Sequence, residues 1–208
     1  KRQVSIVASG VDSNYYQLPT INSTSTKESA RYLHICTNNT VVGTQFQGFP
    51  NISTPLVLDA SSDILSYRMN LDNVACIYAH AQKNIGLSGM TVVAVRKKYI
   101  VENGEIPKLL QYHTHIEGKS NYHTPPVFSI YVANLMQKWL ENEIGGVAAM
   151  EELNNKKAKL LNKNIKPQYN KHILLVEDNK VNQLVAAKLL GQYGISVTIA
   201  NNGKEALD

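Results

Sequence analysis

The sequence predicts an α/β protein, and three observations support this prediction. Short apolar runs rich in strand-forming residues recur along the chain, as in Pro55-Leu-Val-Leu-Asp59 and Val74-Ala-Cys-Ile-Tyr78. Beyond residue 126, apolar residues recur at helical spacing instead. Near residue 172 the pattern changes again, to a strand, a helix and a second strand. Strands that alternate with helices are typical of a sheet covered by helices.

The strand predictions follow from runs of apolar and β-branched residues bounded by polar or turn-forming ones. A polar loop from Ser13 to Ser29 separates the first strand from the others, and the segment Ile64 to Asn73 is expected to cover the sheet. The predicted strands are Val4 to Ala8, Tyr32 to Cys36, Pro55 to Asp59, Val74 to Ala79 and Met90 to Val95.

Two helices are predicted between residues 127 and 161, separated by Gly145-Gly146. Pro126 suits a position next to a helix start. We expect the apolar stripes of both helices to be core. The first stripe comprises Val127, Ile130, Tyr131, Leu135 and Trp139, and the second comprises Val147, Met150, Leu153, Leu160 and Leu161.

Composition excludes several classes of protein. The chain has 208 residues, 43% of them hydrophobic, which is enough to bury a core in one or two domains. The net charge of +5 is scattered, with only Arg96-Lys-Lys98 as a basic run, so we do not expect a nucleic-acid partner. No stretch has the length of a membrane span, and no signal-peptide core is present, so a cytoplasmic protein is expected.

The two cysteines and the first residues give two further expectations. Cys76 lies in an apolar run, where a reduced buried thiol is the default, and two cysteines with Cys36 make no disulfide framework. The chain begins without Met and without a helix to cover its first strand, so it resembles an internal piece of a longer protein.

Lys83 is the residue that most needs an explanation, because it directly follows a strongly apolar run. Burial favours the neutral form of an amine, and a neutral amine is the nucleophile of Schiff-base chemistry. Asp59 ends another apolar run, and the carboxyl ends of strands line the ligand crevice of an open α/β sheet. The pair would suit pyridoxal phosphate, with the carboxylate at the pyridine nitrogen and the amine at the aldehyde. The alternative is a surface lysine at a strand end.

Six ordered motifs between Tyr32 and Leu161 resemble phosphoserine aminotransferases, which are class-V, fold-type I pyridoxal-phosphate enzymes. Their order and spacing make the resemblance specific. The motifs are Asn38-Asn-Thr40, Asp59-Ala-Ser-Ser62 with Ile64-Leu-Ser66, Tyr78-Ala-His-Ala-Gln-Lys83-Asn-Ile-Gly86, Thr91-Val-Val-Ala-Val-Arg96, His123-Thr-Pro-Pro126 and Lys138-Trp-Leu140.

The resemblance implies a fold, a reaction and a set of site residues. It implies part of a fold-type I large domain, and transfer of an amino group between glutamate and 3-phosphohydroxypyruvate to give phosphoserine in serine biosynthesis. Lys83 would hold the pyridoxal phosphate aldehyde and move the substrate α-proton, and Asp59 would anchor the pyridine nitrogen. Thr40 and Gln82 would orient the ring.

The resemblance also implies a homodimer. In the family, the residues at the positions of His123 and Thr124 reach the cofactor phosphate of the neighbouring subunit. Thr124 matches the family, whereas His123 replaces an asparagine and His80 replaces a small glycine beside the site. The family's ring-stacking tryptophan, phosphate loop and small substrate-binding domain have no counterpart in this sequence. We therefore expect the chain by itself to be catalytically inactive.

His113-Thr-His115 is a candidate metal motif in the first 164 residues. Two histidines at this spacing could share a metal from a strand. No cysteine or carboxylate at ligand spacing accompanies them, and a zinc site normally has three or four protein ligands. A metal site here is therefore not favoured.

From residue 172 the sequence resembles the start of a response-regulator receiver domain. The motif is Ile173-Leu-Leu-Val-Glu-Asp-Asn179 with Val181-Asn-Gln183, and a further helix is expected from Asn201 to Leu207. Glu177 and Asp178 match the acidic pair that holds Mg²⁺ in that family, and adjacent carboxylates suit this hard cation. The phosphate-accepting aspartate of the third strand has no counterpart.

The predicted organisation is therefore an aminotransferase-like segment at 1–164, a junction at 165–171 and an incomplete receiver at 172–208. Three functions stay open at this point: an aminotransferase that needs segments from a longer parent chain, a two-component signalling protein, and an inactive fusion or gene remnant. The partners expected are small-molecule substrates and a second copy of the chain, with neither nucleic acid nor membrane.

Overall fold

The structure is a computed structural model that describes residues 4–22, 25–27, 29–164 and 171–207, with side chains omitted at 162–164. It divides into two compact units, residues 1–151 and 152–208, and the division falls within one helix. The described residues contain no helix that is both long and apolar enough to span a membrane.

The first unit is built on a four-stranded mixed sheet. Its strands are β1 (Leu33–Cys36), β4 (Leu56–Asp59), β5 (Val74–His80) and β6 (Thr91–Val95), in the spatial order β1-β4-β5-β6. The pairs β1–β4 and β4–β5 are parallel, whereas β6 returns antiparallel to β5. The carboxyl ends of the three parallel strands therefore meet at one edge, where Cys36 pairs with Asp59 and Asp59 with Tyr78. Four predicted strands are confirmed.

The core lies around β1, β4 and the first part of β5. Along β1 and β4 buried and more accessible residues alternate, as expected of strands with one well-covered face. Nearly all of β5 is buried, and only Tyr78 and the terminal His80 are more accessible. Cys76 lies in β5, and both cysteines are free thiols, as the sequence predicts. The core residues are Leu33, Ile35, Ile52, Leu56, Leu58, Ala60, Val74 and Ile77.

The predicted strand at Val4 to Ala8 is wrong. The described residues 4–8 have no regular structure, and the side chains of Val4 and Ile6 are 94% and 87% exposed. A strand needs a neighbour to pair its backbone groups, and this segment pairs with none of the described strands. Strand-forming residues alone were therefore not sufficient.

Between β1 and β4 lies a short hairpin that the sequence did not predict. It consists of β2 (Asn38–Asn39) and β3 (Thr44–Gln45), which pair antiparallel. Thr40 begins the turn that joins them, and Gly43 in that turn has a φ of 73°. A left-handed residue of this kind favours glycine.

The helices are α1 (Tyr112–Glu117), α2 (Val127–Trp139) and α3 (Val147–Asn164), with a π-turn at Leu140–Ile144 after α2. Gly145 and Gly146 separate α2 from α3, as predicted, and both have positive φ. Short 3₁₀ turns occupy Val11–Ser13, Lys97–Tyr99 and Lys108–Leu110.

The prediction that the apolar stripes are core is wrong. Every residue of the α2 stripe is at least 42% exposed, and Leu160 and Leu161 of α3 are 62% and 61% exposed. The buried residues of α2 are the small ones, Ser129 and Ala133. They face Gly86 and Gly89, where an added Cβ would lie 3.2 Å from Ala133 N and 3.3 Å from Ser129 Oγ. Because the two backbones approach closely here, α2 buries the face that carries its small residues.

The second unit contains the predicted strand–helix–strand pattern. Strands β7 (Lys171–Val176) and β8 (Ile195–Ala200) are parallel neighbours, and α4 (Lys180–Gly191) connects them. The Asn179 side chain caps α4 by accepting from Val181 N and Asn182 N. The helix predicted at 201–207 is absent from the described residues, which form turns there. Most of the predicted junction, 165–170, lies outside the described residues, and α3 continues to Asn164.

Candidate functional site

The candidate site lies at the carboxyl edge of the parallel strands in the first unit. Asp59 ends β4, and Lys83 follows β5 by three residues. The Lys83 Nζ atom lies 3.3 Å from Thr40 Oγ1, so the hairpin turn and the turn after β5 meet. Thr37 N, just before the hairpin, donates to the backbone O of Asp59 at 2.9 Å. The structure thus brings Thr40, Lys83 and the end of β4 to one edge.

Lys83 is exposed, so the burial that its position after an apolar strand predicted is wrong. The reason is that β5 ends at His80, and the chain turns outward before it reaches the lysine. The turn is well anchored, because Gly86 N donates to Ala81 O and Asn84 Nδ2 donates to Ile64 O at 2.9 Å. An amine on a fixed, open turn is accessible to a dissolved aldehyde.

The Asp59 carboxylate is held by hydrogen bonds at its own turn. Its Oδ1 accepts from Ser61 N at 3.0 Å and from Ser61 Oγ at 2.6 Å. Partial burial acts to raise the pKa of Asp59, but the bonds from Ser61 and from the Tyr78 hydroxyl, with the charge of His80, outweigh it. The pKa of Asp59 is therefore lowered, and the carboxylate stays ionised.

Tyr78 connects Asp59 to a histidine on β1. Its hydroxyl hydrogen-bonds the Asp59 side chain and lies 2.9 Å from His34 Nε2, and the two rings stack with centroids 6.1 Å apart. Burial and then the Asp59 carboxylate raise the pKa of Tyr78 to about 12. The neutral phenol can therefore donate to Asp59 at neutral pH.

His80, the departure from the family pattern, is held beside these groups. Its backbone N donates to Ser61 Oγ at 3.1 Å, and its Nδ1 lies 2.8 Å from Thr91 Oγ1 on β6. The ring is fixed toward β6, and a histidine is accommodated at this strand end.

The Cys36 thiol lies near both charges of the site. Burial raises the pKa of this thiol; a hydrogen bond to the Asn38 backbone and the charge of Lys83 lower it, while Asp59 and Asp63 raise it further. The Cys36 thiol therefore interacts electrostatically with both the Asp59 carboxylate and the Lys83 amine. Opposite charges share this edge of the sheet.

The remaining predicted residues lie in exposed positions. Gln82 precedes Lys83 in the same turn, and its side chain is exposed. His123 and Thr124 lie in the exposed loop before α2, where His123 Nδ1 is 3.1 Å from Thr124 O. The hydrogen bonds of the described residues do not join these two to Lys83.

Sequence reasoning missed four residues of the site: Ser61, Asp63, Tyr78 and Asn84. Asp59-Ala-Ser61 is a detectable signal, because an aspartate commonly bonds the backbone two residues later. Tyr78 and Asn84 belong to the motif at residues 78–86. The sequence does not show which groups their side chains contact, because these contacts depend on the fold.

The two histidines of His113-Thr-His115 make separate contacts. His113 and His115 lie on α1, not on a strand, so residues two apart diverge around the helix. His113 pairs with Glu102 and Glu117, and His115 Nε2 lies 2.8 Å from Leu109 O. In the second unit Glu177 accepts from Asn179 N and Asn182 Nδ2. Across the described ranges no three His, Cys, Asp or Glu side chains are grouped as a metal site.

The donor set of the site fits an aromatic aldehyde with a ring nitrogen. The accessible amine of Lys83 suits the aldehyde, and an ionised carboxylate at a neighbouring strand end suits a protonated ring nitrogen. The Thr40 hydroxyl, beside the amine, can bond an oxygen substituent.

Comparisons with curated proteins point to one enzyme family. The phosphoserine aminotransferase of Bacillus subtilis (strain 168) is 48% identical over 158 residues, which are 76% of this chain and 44% of that protein. The enzyme of the same name from Campylobacter jejuni (strain 81-176) is 41% identical over 160 residues, again 76% and 44%. The chain thus spans less than half the length of the curated relatives it matches.

Solved structures agree with the sequence comparison. Phosphoserine aminotransferase from Bacillus circulans subsp. alkalophilus superposes with a TM-score of 0.72 at 42% identity, covering 77% of this chain and 45% of that one. The pyridoxal-phosphate-bound enzyme from Trichomonas vaginalis gives 0.65 at 41% identity, covering 70% and 43%. The α/β fold is thus that of part of a fold-type I aminotransferase domain. The family model "Aminotransferase class-V" matches residues 2–201, a range that includes β7, α4 and β8. The chain belongs to the class-V aminotransferase family.

Proposed function

We propose that this chain is the cofactor-holding part of a phosphoserine aminotransferase. The observation that carries the proposal is the contact between Lys83 Nζ and Thr40 Oγ1 at the strand edge that also bears Asp59. The relatives named above support the enzyme class and, through their names, the substrate phosphoserine. The reaction proposed is exchange of the amino group between glutamate and 3-phosphohydroxypyruvate.

Each residue has a defined part in this proposal. Pyridoxal phosphate supplies the electron sink that makes transamination possible. Lys83 would hold the aldehyde through Nζ, and the same amine would accept and return the substrate α-proton. Asp59 holds the ring nitrogen protonated, because its lowered pKa keeps the carboxylate ionised. Thr40 and Gln82 orient the ring.

The proposed protein is a cytoplasmic homodimer. Thr124, with His123 beside it, contacts the cofactor phosphate group that the neighbouring subunit holds. Their exposure in the loop before α2 supports this part, because a residue that reaches another subunit must project from its own. Substrate-binding groups belong to parts of the family fold that this sequence does not match, so the chain alone is proposed to bind cofactor without turnover.

A chimaeric enzyme tests the proposed function. Residues 1–164 replace the matching segment of the Bacillus subtilis relative, and glutamate-dependent formation of phosphoserine is measured. We expect activity from the chimaera and none from its Lys83→Ala version, with equal far-UV circular dichroism. A well-folded chimaera that converts neither substrate would contradict the proposal.

The second candidate concerns the second unit, for which we infer the opening of a receiver at 172–208, after a junction at 165–171. Two features support it: β7 and β8 are parallel neighbours, and Glu177 and Asp178 follow the end of β7. Such a segment would bind Mg²⁺ weakly and accept no phosphoryl group.

Magnesium titration followed by NMR tests this second candidate. We expect saturable shifts at residues 176–180 that vanish in Glu177→Gln with Asp178→Asn, and that persist in Glu152→Gln, an exposed acid on α3. Shifts equal in all three proteins would contradict the receiver assignment and favour a continuation of the aminotransferase fold.

A further inference from the structure

Asp63 is a buried carboxylate that the proposed chemistry does not use. Only 2% of it is exposed, although an ionised group is costly to bury without partners. Two donors bind it directly: Thr37 Oγ1 lies 2.5 Å from its Oδ1, and Gln45 Nε2 lies 3.1 Å from its Oδ2. The Tyr67 hydroxyl lies 3.4 Å from the same Oδ2. Neither Thr37 nor Tyr67 is one of the residues assigned to cofactor above.

The two oxygens of Asp63 bind the two ends of one hairpin. Thr37 immediately precedes β2, and Gln45 is the last residue of β3, so Oδ1 and Oδ2 hold opposite ends of the segment 37–45. The Tyr67 hydroxyl lies 3.2 Å from the backbone O of Phe46, the residue after β3, so its one proton is shared between this oxygen and Asp63. Thr40 lies at the tip of this hairpin.

The segment that carries Asp63 also contacts the turn of Lys83. Asn84 Nδ2 donates to Ile64 O at 2.9 Å, next to Asp63 in the chain. On the other side, Ser62 Oγ donates to Asn38 O at 2.7 Å. Residues 62–64 therefore lie between the hairpin that carries Thr40 and the turn that carries Lys83.

The hairpin needs this support, because two-residue strands form few backbone hydrogen bonds of their own. An isolated two-stranded hairpin is at best marginally stable in water. A hydrogen bond to a charged group contributes more than one between neutral groups, and a buried donor left without its acceptor is destabilising. The contacts of Asp63 therefore tie the hairpin that carries Thr40 to the segment that contacts the turn of Lys83.

We propose that Asp63 is a positioning residue that clamps both ends of the hairpin 37–45 and thereby sets Thr40 against the amine of Lys83. The proposal rests on the proposed function for the role of Lys83. The clamp itself is a property of this chain and can be measured without cofactor.

Amide hydrogen exchange in the chain without cofactor is the first measurement. Asp63→Asn leaves one acceptor oxygen where there were two, so we expect exchange in the hairpin 37–45 to become about tenfold faster. Strands β4 and β5 should keep their protection. The matched control is Asp72→Asn, an exposed aspartate at the opposite end of the sheet, which should leave the hairpin unchanged.

A second set of variants keeps the test decisive if Asp63→Asn alone folds poorly. It exchanges the acceptor at position 63 with the donor at position 45, and the double variant is called the polarity swap. Gln45→Glu places a second carboxylate opposite the first and should also speed exchange of the hairpin. Asp63→Asn combined with Gln45→Glu exchanges acceptor and donor, so it should restore protection to within about threefold of the original chain. A combined variant no better than either single change would overturn the clamp.

The effect of Asp63 on Lys83 is measured by absorbance spectroscopy. After addition of pyridoxal phosphate, the absorbance of the borohydride-reducible adduct is titrated with pH. Asp63→Asn should shift the midpoint of this titration, and the polarity swap should return it. Unchanged midpoints and unchanged exchange would contradict the inference. If the original chain forms no reducible adduct, the proposed function fails, whereas hydrogen exchange still decides on the clamp.

Discussion

Replacing Lys83 by alanine is expected to abolish formation of a borohydride-stable adduct with pyridoxal phosphate. The variant lacks the Nζ atom that lies 3.3 Å from Thr40 Oγ1 and that is expected to bind the aldehyde. In a chimaeric enzyme we expect the same change to lower turnover by about 10⁴-fold or more, because both the covalent step and proton transfer use this atom. Bound, reduced cofactor is quantified by absorbance after desalting.

Two controls separate this expectation from general reactivity of surface lysines. Lys138→Ala removes another exposed lysine, near the end of α2, and should leave the adduct at its original level. Lys83→Arg keeps the positive charge without a nucleophilic amine, and should behave like alanine. Equal labelling of the original chain and Lys83→Ala would show that the adduct forms elsewhere.

Replacing Asp59 by asparagine is expected to weaken cofactor binding about 10- to 100-fold. The carboxylate accepts a charge-assisted bond from a protonated ring nitrogen, and such bonds contribute about 1.5–3 kcal/mol. Asparagine retains the size but not the charge. Equilibrium dialysis with pyridoxal phosphate measures the affinity, and an unchanged dissociation constant would exclude Asp59 from ring binding.

The same residue gives a pH dependence of known sign. The pKa of Asp59 is lowered on folding, so its contribution to the free energy of unfolding is complete above the unfolded pKa. It is lost as pH falls through the folded pKa. Ser61→Ala removes a hydrogen bond from the ionised form and should raise the pKa of Asp59. Carbon-13 titration of the Asp59 carboxyl group in both proteins measures this, and an unchanged midpoint would contradict it.

The sheet edge that carries the site could be predicted because each strand there is a short apolar run ended by a charge. Once β4 and β5 are parallel neighbours, Asp59 and the turn of Lys83 must lie at the same edge. The hairpin around Thr40 could not be predicted from propensity. Its two-residue strands have no hydrophobic pattern, and it is held from outside by Asp63.

For the helices, the sequence has a clear hydrophobic pattern, but this pattern does not predict which face is buried. The large apolar residues of α2 have the period of a buried face, yet Ser129 and Ala133 are the buried ones. Periodicity reports which residues share a face, but not which face a neighbour covers. Here the covering turn contains Gly86 and Gly89, and close approach of two backbones requires small residues on both sides. Small residues four apart on α2 were the signal available in the sequence.

The measurement that tests the central claim most directly is peptide mapping after reduction. The 208-residue chain is incubated with pyridoxal phosphate, reduced with borohydride, digested and analysed by mass spectrometry. We predict that the reduced cofactor lies predominantly on the peptide that contains Lys83, at a level well above any other lysine. A label spread evenly over exposed lysines such as Lys108, Lys119 and Lys138 would contradict the assignment of Lys83 as the residue that holds the cofactor.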